Sequence, residues 1–207
     1  MSANSDVQLD DFSSLFSLEG KTAVVTGGSR GLGLNAASAL LQAGAARVFI
    51  SSRKADACED ACRALNNLPR IRGRAEALPA DLSTVKGVRA LVDEVDARSP
   101  AGVDILLANA GATWGAALEK HPDEAAGKVL DLNVRSVFNT IRDFVPLLER
   151  AAKGKTEPSR VIITASVAGL GIGTLGENGN YVYSASKAAV IHLGRNLAVE
   201  LGGRGIT

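Results

Sequence analysis

Residues 21–33 read Lys21-Thr22-Ala23-Val24-Val25-Thr26-Gly27-Gly28-Ser29-Arg30-Gly31-Leu32-Gly33. The first six form a short apolar run that stops at glycine, the pattern of a buried strand. Residues 32–43 are rich in Ala and Leu and end at Gly44, the pattern of a helix. Between them lies a turn with the spacing G-x-x-x-G-x-G. Glycine lets a backbone turn sharply and approach a ligand closely. A helix that opens at such a turn presents free N–H groups and a positive dipole end, which suit a pyrophosphate. A turn that serves only the chain's own geometry is the competing reading, and the strand-loop-helix context makes it the weaker one.

Working outward, the same alternation continues. Strand patterns occur at 47–51, 76–80, 103–108 and 160–165, with the one at 76–80 the weakest. Helix patterns occur at 55–66, 85–98, 124–149 and 181–201. The third of these covers one or two helices and is expected to close near Pro146. In residues 85–98, Val88, Leu91, Val92 and Val95 fall on one face. Continuous apolar strands alternating with helices predict a parallel sheet covered on both faces. Right-handed crossovers make it a doubly wound, Rossmann-type α/β sheet. Residues 18–207 are expected to form one domain, preceded by a flexible tail at 1–17.

A chain of 207 residues can bury a sizeable core. Its hydrophobic fraction of 46% and charged fraction of 22% are those of a globular protein. A net charge of +1 gives no reason to expect a nucleic-acid or acidic-membrane partner. The tail carries Asp6, Asp10 and Asp11 and no basic residue, so it lacks the features of a signal or transit peptide. No apolar run approaches the length of a membrane span. Cys58 and Cys62 are the only cysteines, with no further ligand nearby to complete a metal site. They read as structural thiols of a reducing compartment, and a cytoplasmic location is expected.

In dinucleotide folds an acid near the end of the second strand grips the ribose 2′-hydroxyl. Here that region is Ser51-Ser52-Arg53-Lys54, with no acid and a cation in its place. Arg30 in the glycine loop points to the same neighbourhood. A guanidinium matches two phosphate oxygens at once, so the pair predicts a 2′-phosphate and hence NADP(H). A solvated pair of surface arginines is the alternative.

Downstream, Tyr183-Ser184-Ala185-Ser186-Lys187 places a phenol and an ammonium four residues apart in a helical stretch. Both side chains leave the same helix face, one turn apart. A cation beside a phenol favours the phenolate, which suits a tyrosine that gives a proton to a carbonyl oxygen or takes one from an alcohol. The spacing alone recurs by chance. Tyr181 has Ala185 four residues on and is the poorer donor.

Taken together, these segments resemble the short-chain dehydrogenase/reductase family, from about Leu18 to the last residue. Thr26, Gly27, Ser29, Arg30, Gly31, Leu32 and Gly33 match its cofactor loop. Asp81-Leu82 matches its adenine contact, and Asn109-Ala110-Gly111 the motif that ends its fourth strand. Asn133 matches its helix asparagine, Ser166 its catalytic serine, and Tyr183 with Lys187 its catalytic pair. A softer resemblance, carried by residues 112–119, is to β-ketoacyl reductases of the rhamnolipid type and their fungal relatives.

The resemblance implies hydride transfer to a carbonyl carbon with Tyr183 protonating the oxygen. Ser166 would hydrogen-bond that oxygen, Lys187 would hold the nicotinamide ribose, and Asn133 would fix a water linking Lys187 to solvent. The substrate would be a small carbonyl compound or an acyl thioester, and the protein a homodimer or homotetramer. An alcohol or polyol dehydrogenase, and an NADP(H)-binding module without activity, are the alternatives. The sequence ends at Gly205-Ile206-Thr207, where the resemblance implies that a sixth strand begins. We therefore expect a fragment or a truncated product, poorly stable and poorly active, with the edge of the fifth strand uncovered. Residues 171–180 are glycine-rich and are expected to reshape the substrate mouth.

Overall fold

The computed structural model describes residues 15–207. The expected flexible tail lies, over residues 1–14, outside the described residues. Five strands form one sheet: β1 (Thr22–Thr26), β2 (Arg47–Ser51), β3 (Arg74–Ala77), β4 (Ile105–Ala108) and β5 (Arg160–Ile163). Their order is β3-β2-β1-β4-β5, and every pair is parallel. The intervening helices are α1 (Gly31–Gln42), α2 (Ala55–Asn66), α3 (Val85–Arg98), α4 (Asp123–Leu130), α5 (Ser136–Ala152) and α6 (Tyr181–Gly202). This is the doubly wound sheet that the alternation predicts, with the expected third strand shifted to Arg74–Ala77. The strand order reverses between β1 and β4, which opens a crevice at the carboxyl ends of those strands.

The period-2 rule assigns each strand residue to a face. Ala23, Val25, Val48, Ile50, Ile105 and Leu107 pack with Ala37 and Leu41 of α1 and Ala61 and Leu65 of α2. Val24, Phe49, Leu106 and Ala108 pack on the other face with α3, α5 and α6, through Val88, Leu91, Ile141, Phe144, Leu148 and Val190. β5 departs from full coverage. Ile162 pairs in register with Leu107 and so lies on the α1/α2 face, but those helices do not reach the edge of the sheet. Ile162 is left 50% exposed.

Pro146 does not close a helix, contrary to expectation; α5 runs through it. Proline removes one N–H and costs about 3 kcal/mol in a helix interior. Pro146 and Arg142, whose carbonyl loses its partner, both lie on the exposed side, where water can reach that carbonyl. Phe144, Val145, Leu147 and Leu148 are buried on either side and hold the helix in place. Between α4 and α5, residues Asp131–Arg135 form a single π turn around Asn133.

The final residues pair beside the start of β5. Ser159 and Ile206 form a parallel bridge, Thr207 N–H donates to the Ser159 carbonyl, and Val161 N–H donates to the Thr207 carbonyl. Beside them, Val161, Ile163, Leu197, Leu201 and Ile206 line an apolar groove of about 220 Å³. Among the described residues no helix is long and apolar enough to cross a membrane, and no group of side chains could hold a metal.

Candidate active site

Parallel strands deliver all their carboxyl-end loops to one edge of the sheet. The loops that follow β1, β2, β4 and β5 therefore bring Gly27, Ser52, Asn109 and Ser166 to the same crevice.

The glycine loop is fixed by its own chain as well as shaped for a ligand. A Cβ on Gly33 would lie 2.4 Å from the Gly27 carbonyl oxygen and 2.6 Å from Asn109 Nδ2. Asn109 uses that amide to donate to the Thr26 and Gly27 carbonyls, at 3.1 and 3.2 Å. Its Oδ1 accepts from Thr164 Oγ1 at 3.0 Å. Thr26 Oγ1 in turn accepts from the Asn109 and Ala110 N–H groups. One polar clamp thus ties together the ends of β1, β4 and β5. Asn109 and Thr26 do this work within the chain, so their side chains shape the cradle.

Gly31 is different. It has φ +54° and nothing within 4 Å of where a Cβ would stand, so this face of the loop is open. Arg30 precedes α1 and makes no side-chain cap, and the first turn holds no acid. The leading N–H groups of α1 are left for an anion. Arg30 and Arg53 are both exposed, and neither pairs with a carboxylate among the described residues. Leu32 is exposed on the first turn of α1, and Ser29 is half-buried in the loop. Ser52 is half-buried, with its Oγ 3.1 Å from Cys58 Sγ. Asp81 Oδ1 accepts from the Ser83 N–H and hydroxyl. The Leu82 side chain lies in the core, so only backbone remains there for a ligand.

At the other end of the crevice, Lys187 Nζ lies 5.7 Å from the centroid of the Tyr183 ring. It donates to the Thr164 carbonyl at 2.7 Å. Lys187 is only 6% exposed, and burial pushes the pKa of its ammonium down. Ser166 stands two residues past Thr164 and caps a short 3-10 turn, Val167–Gly169, by accepting from the Ala168 N–H at 3.2 Å. Gly169 packs directly on α6, since a Cβ there would come within 2.6 Å of the Lys187 carbonyl carbon. The strand-end serine and the helix pair are thus locked to one another by contacts on both sides of Ser166.

Asn133 is buried in the π turn. Its Oδ1 accepts from the Ala112 N–H at 2.8 Å, and its Nδ2 donates to the Ala112 carbonyl and to Ser186 Oγ, both at 2.9 Å. Both amide hydrogens are therefore spent on the protein. These bonds tie the π turn to the loop after β4 and to α6. Gly111 sits against this group, since a Cβ on it would be 3.1 Å from Asn133 Oδ1 and 3.8 Å from Lys187 Nζ.

Sequence reasoning missed Thr164, which acts through a carbonyl that any residue carries. It also missed Ser186, fully buried, which donates to the Tyr183 carbonyl and accepts from Asn133. The Tyr-x-x-x-Lys spacing was the only signal that could have drawn attention to either.

With this geometry in place, residues 21–207 match the model of the short chain dehydrogenase family. The chain belongs to the short-chain dehydrogenase/reductase family. Among its relatives is the rhamnolipids biosynthesis 3-oxoacyl-[acyl-carrier-protein] reductase of Pseudomonas aeruginosa, 49% identical over 92% of this chain and 71% of that protein. The solved Pseudomonas aeruginosa RhlG/NADP active-site complex has a TM-score of 0.84 at 47% identity, covering 93% of this chain and 71% of that one. An NADH-dependent reductase solved with NAD has a TM-score of 0.79 at 31% identity, covering 91% of this chain and 76% of that one. The family assignment makes this short-chain dehydrogenase an oxidoreductase.

Proposed function

We propose that this short-chain dehydrogenase reduces the ketone of a 3-oxoacyl thioester with NADPH. The observation that carries the reading is the buried Lys187 ammonium, 5.7 Å from the Tyr183 ring and anchored on the Thr164 carbonyl at the crevice mouth. The thioester class rests on likeness to the 3-oxoacyl reductase at 49% identity.

The residues present fit a dinucleotide. The uncapped start of α1, the open face of Gly31 and the close-packed Gly27 and Gly33 would receive the pyrophosphate. Arg30 and Arg53, which pair with no carboxylate among the described residues, would take a 2′-phosphate. Asp81 and the backbone at Leu82 would face the adenine, and Ala110 and Gly111 would line the ribose path. NADPH bound there would supply the hydride for the carbonyl carbon.

The chain's own residues supply the rest. Tyr183 gives its phenolic proton to the ketone oxygen as negative charge grows there. Ser166 Oγ already accepts from Ala168, so its hydroxyl hydrogen is free to donate to the same oxygen. Lys187 has spent one hydrogen on Thr164 and keeps two, one for a ribose hydroxyl and one for the path that returns a proton to Tyr183. Asn133 fixes the Ala112 backbone and, through Ser186, the first turns of α6. For assembly we propose a homodimer or homotetramer through α5 and α6, where Phe138, Ala185, Ala188, Ala189 and Val199 are exposed.

NADPH and NADH oxidation on acetoacetyl and longer 3-oxoacyl thioesters, together with simple ketones and polyols, tests the reading. Turnover of the thioesters with NADPH is expected. Replacing Arg30 with Ala and Arg53 with Glu should lower kcat/KM for NADPH by about 30-fold and change the NADH value far less. Tight NADPH binding with no turnover of any carbonyl would make the protein a binding module.

A further inference from the structure

Thr164 carries three polar groups, and each holds a different neighbour. Its N–H donates to the Ala108 carbonyl at 3.1 Å, which fixes the end of β5 against the end of β4. Its hydroxyl donates to Asn109 Oδ1 at 3.0 Å. Its carbonyl accepts from Lys187 Nζ at 2.7 Å. Almost any residue supplies an N–H and a carbonyl. Only a side chain with a hydrogen to give can serve Asn109.

The hydroxyl acts on the glycine loop through the Asn109 amide. Among the described residues Thr164 is the only hydrogen-bond partner of Oδ1, so this donor sets which end of the amide faces which way. With Oδ1 turned to Thr164, Nδ2 faces the Thr26 and Gly27 carbonyls, at 3.1 and 3.2 Å. The Gly27 carbonyl is the one on which Gly33 closes, since a Cβ there would meet its oxygen at 2.4 Å. The amide therefore sets how the first turn of α1 sits on the loop. A carbonyl held in this way also cannot turn toward a phosphate, which would repel it.

The carbonyl of Thr164 acts on the other end of the crevice. A lysine ammonium rides on a flexible four-carbon stem, so its place is set by what accepts from it. Lys187 is buried, and among the described residues Thr164 is its only hydrogen-bond acceptor. A shift of Thr164 relative to Asn109 therefore moves the seat of the ammonium beside the Tyr183 ring.

We propose that Thr164 is a positioning residue that couples the glycine loop to Lys187, so that one hydroxyl sets both the seat of the coenzyme pyrophosphate and the place of the ammonium. The inference rests on the reductase reading and adds a residue that acts through its neighbours. The chain of bonds is continuous from the Gly27 carbonyl through the Asn109 amide and Thr164 to the Lys187 ammonium. Packing alone would not call for a donor on this half-buried side chain, since valine has nearly the same shape.

Thr164→Val keeps the branched shape and removes the donor, and Thr164→Ser keeps the donor. Calorimetry with NADP⁺ and with adenosine 2′,5′-bisphosphate reads binding without turnover. The bisphosphate lacks the pyrophosphate and the nicotinamide ribose, so it reports the adenosine end alone. Thr164→Val should weaken NADP⁺ about tenfold and leave the bisphosphate within about twofold of the parent. With saturating NADPH and a 3-oxoacyl thioester, it should also lower kcat about tenfold and leave the thioester KM within about twofold. Thr164→Ser should restore affinity and kcat to within about twofold. If Thr164→Val does not fold, Thr164→Ala removes the same donor without crowding and gives the same comparison.

A variant without the hydroxyl that is less stable to urea yet keeps its NADP⁺ affinity and kcat overturns the proposal, because a merely structural role predicts that result. A loss of affinity alone, or of kcat alone, overturns the coupling. Equal weakening of NADP⁺ and the bisphosphate, or no rescue by serine, overturns it as well. Each of these outcomes leaves the reductase reading intact. Failure of the parent chain to turn over any thioester overturns the reductase reading, and with it this proposal.

Discussion

At the residue scale, the site is a set of hydrogen-bond choices that residue identity alone does not disclose. Tyr183 and Lys187 were legible because a one-turn spacing on a helix dictates that they share a face. Asn133 was legible as a residue, while its bonds to Ala112 and Ser186 were not, because they depend on segments distant in sequence. Thr164 was invisible because its carbonyl does the work. The two cysteines behave as sequence spacing suggested. Both are free thiols buried in α2. Burial, with Cys58 and Glu76 nearby, pushes the Cys62 thiol from 9.0 up to about 12. The native state therefore holds its proton where the unfolded state releases one. The resulting contribution to stability is present below pH 9 and is lost as pH rises toward 12. Native protein at pH 8 should hold about a thousandfold less Cys62 thiolate than an ordinary cysteine and should react correspondingly slowly with a chromogenic disulfide reagent. Two thiols should titrate at once in urea.

At the element scale, the strand-loop-helix unit at residues 21–33 fixed the fold class, since nothing else explains a buried strand, a run of glycines and a helix in that order. The boundaries were less legible. Pro146 reads as a helix end, yet the buried residues around it outweigh one lost hydrogen bond that faces water. The π turn Asp131–Arg135 leaves no mark in an apolar pattern, because one extra residue shifts the face without breaking the helix. That turn aims Asn133 at Ala112 and Ser186 and so joins the β4 loop, α5 and α6. Asn133→Ala should lower the stability of the fold by about 2 kcal/mol, read as a shift in the urea midpoint, because it removes the bonds from the buried Asn133 amide to Ala112 and to the buried Ser186 hydroxyl. The same variant should also lower kcat, as α6 and its Tyr183 lose a fixed position.

At the scale of the whole molecule, the sheet is well covered from β3 to β4 and poorly covered at β5. The α1/α2 face leaves Ile162 half in solvent, and the α6 face leaves an apolar groove beside Ile163, Leu197 and Ile206. Pattern reading predicted buried strands throughout, because an apolar run does not show whether a helix reaches it. An apolar side chain left open beside an apolar groove favours association. The 207-residue polypeptide should bind an apolar-surface dye and scatter light increasingly with concentration, and Ile162→Lys should reduce the scattering. The central claim concerns the proton, and pre-steady-state and steady-state NADPH oxidation by Tyr183→Phe tests it most directly. With a 3-oxoacyl thioester, the variant should bind NADPH within about twofold of the parent and lose about a thousandfold in kcat. Turnover within tenfold of the parent, with the fold intact, would contradict the account.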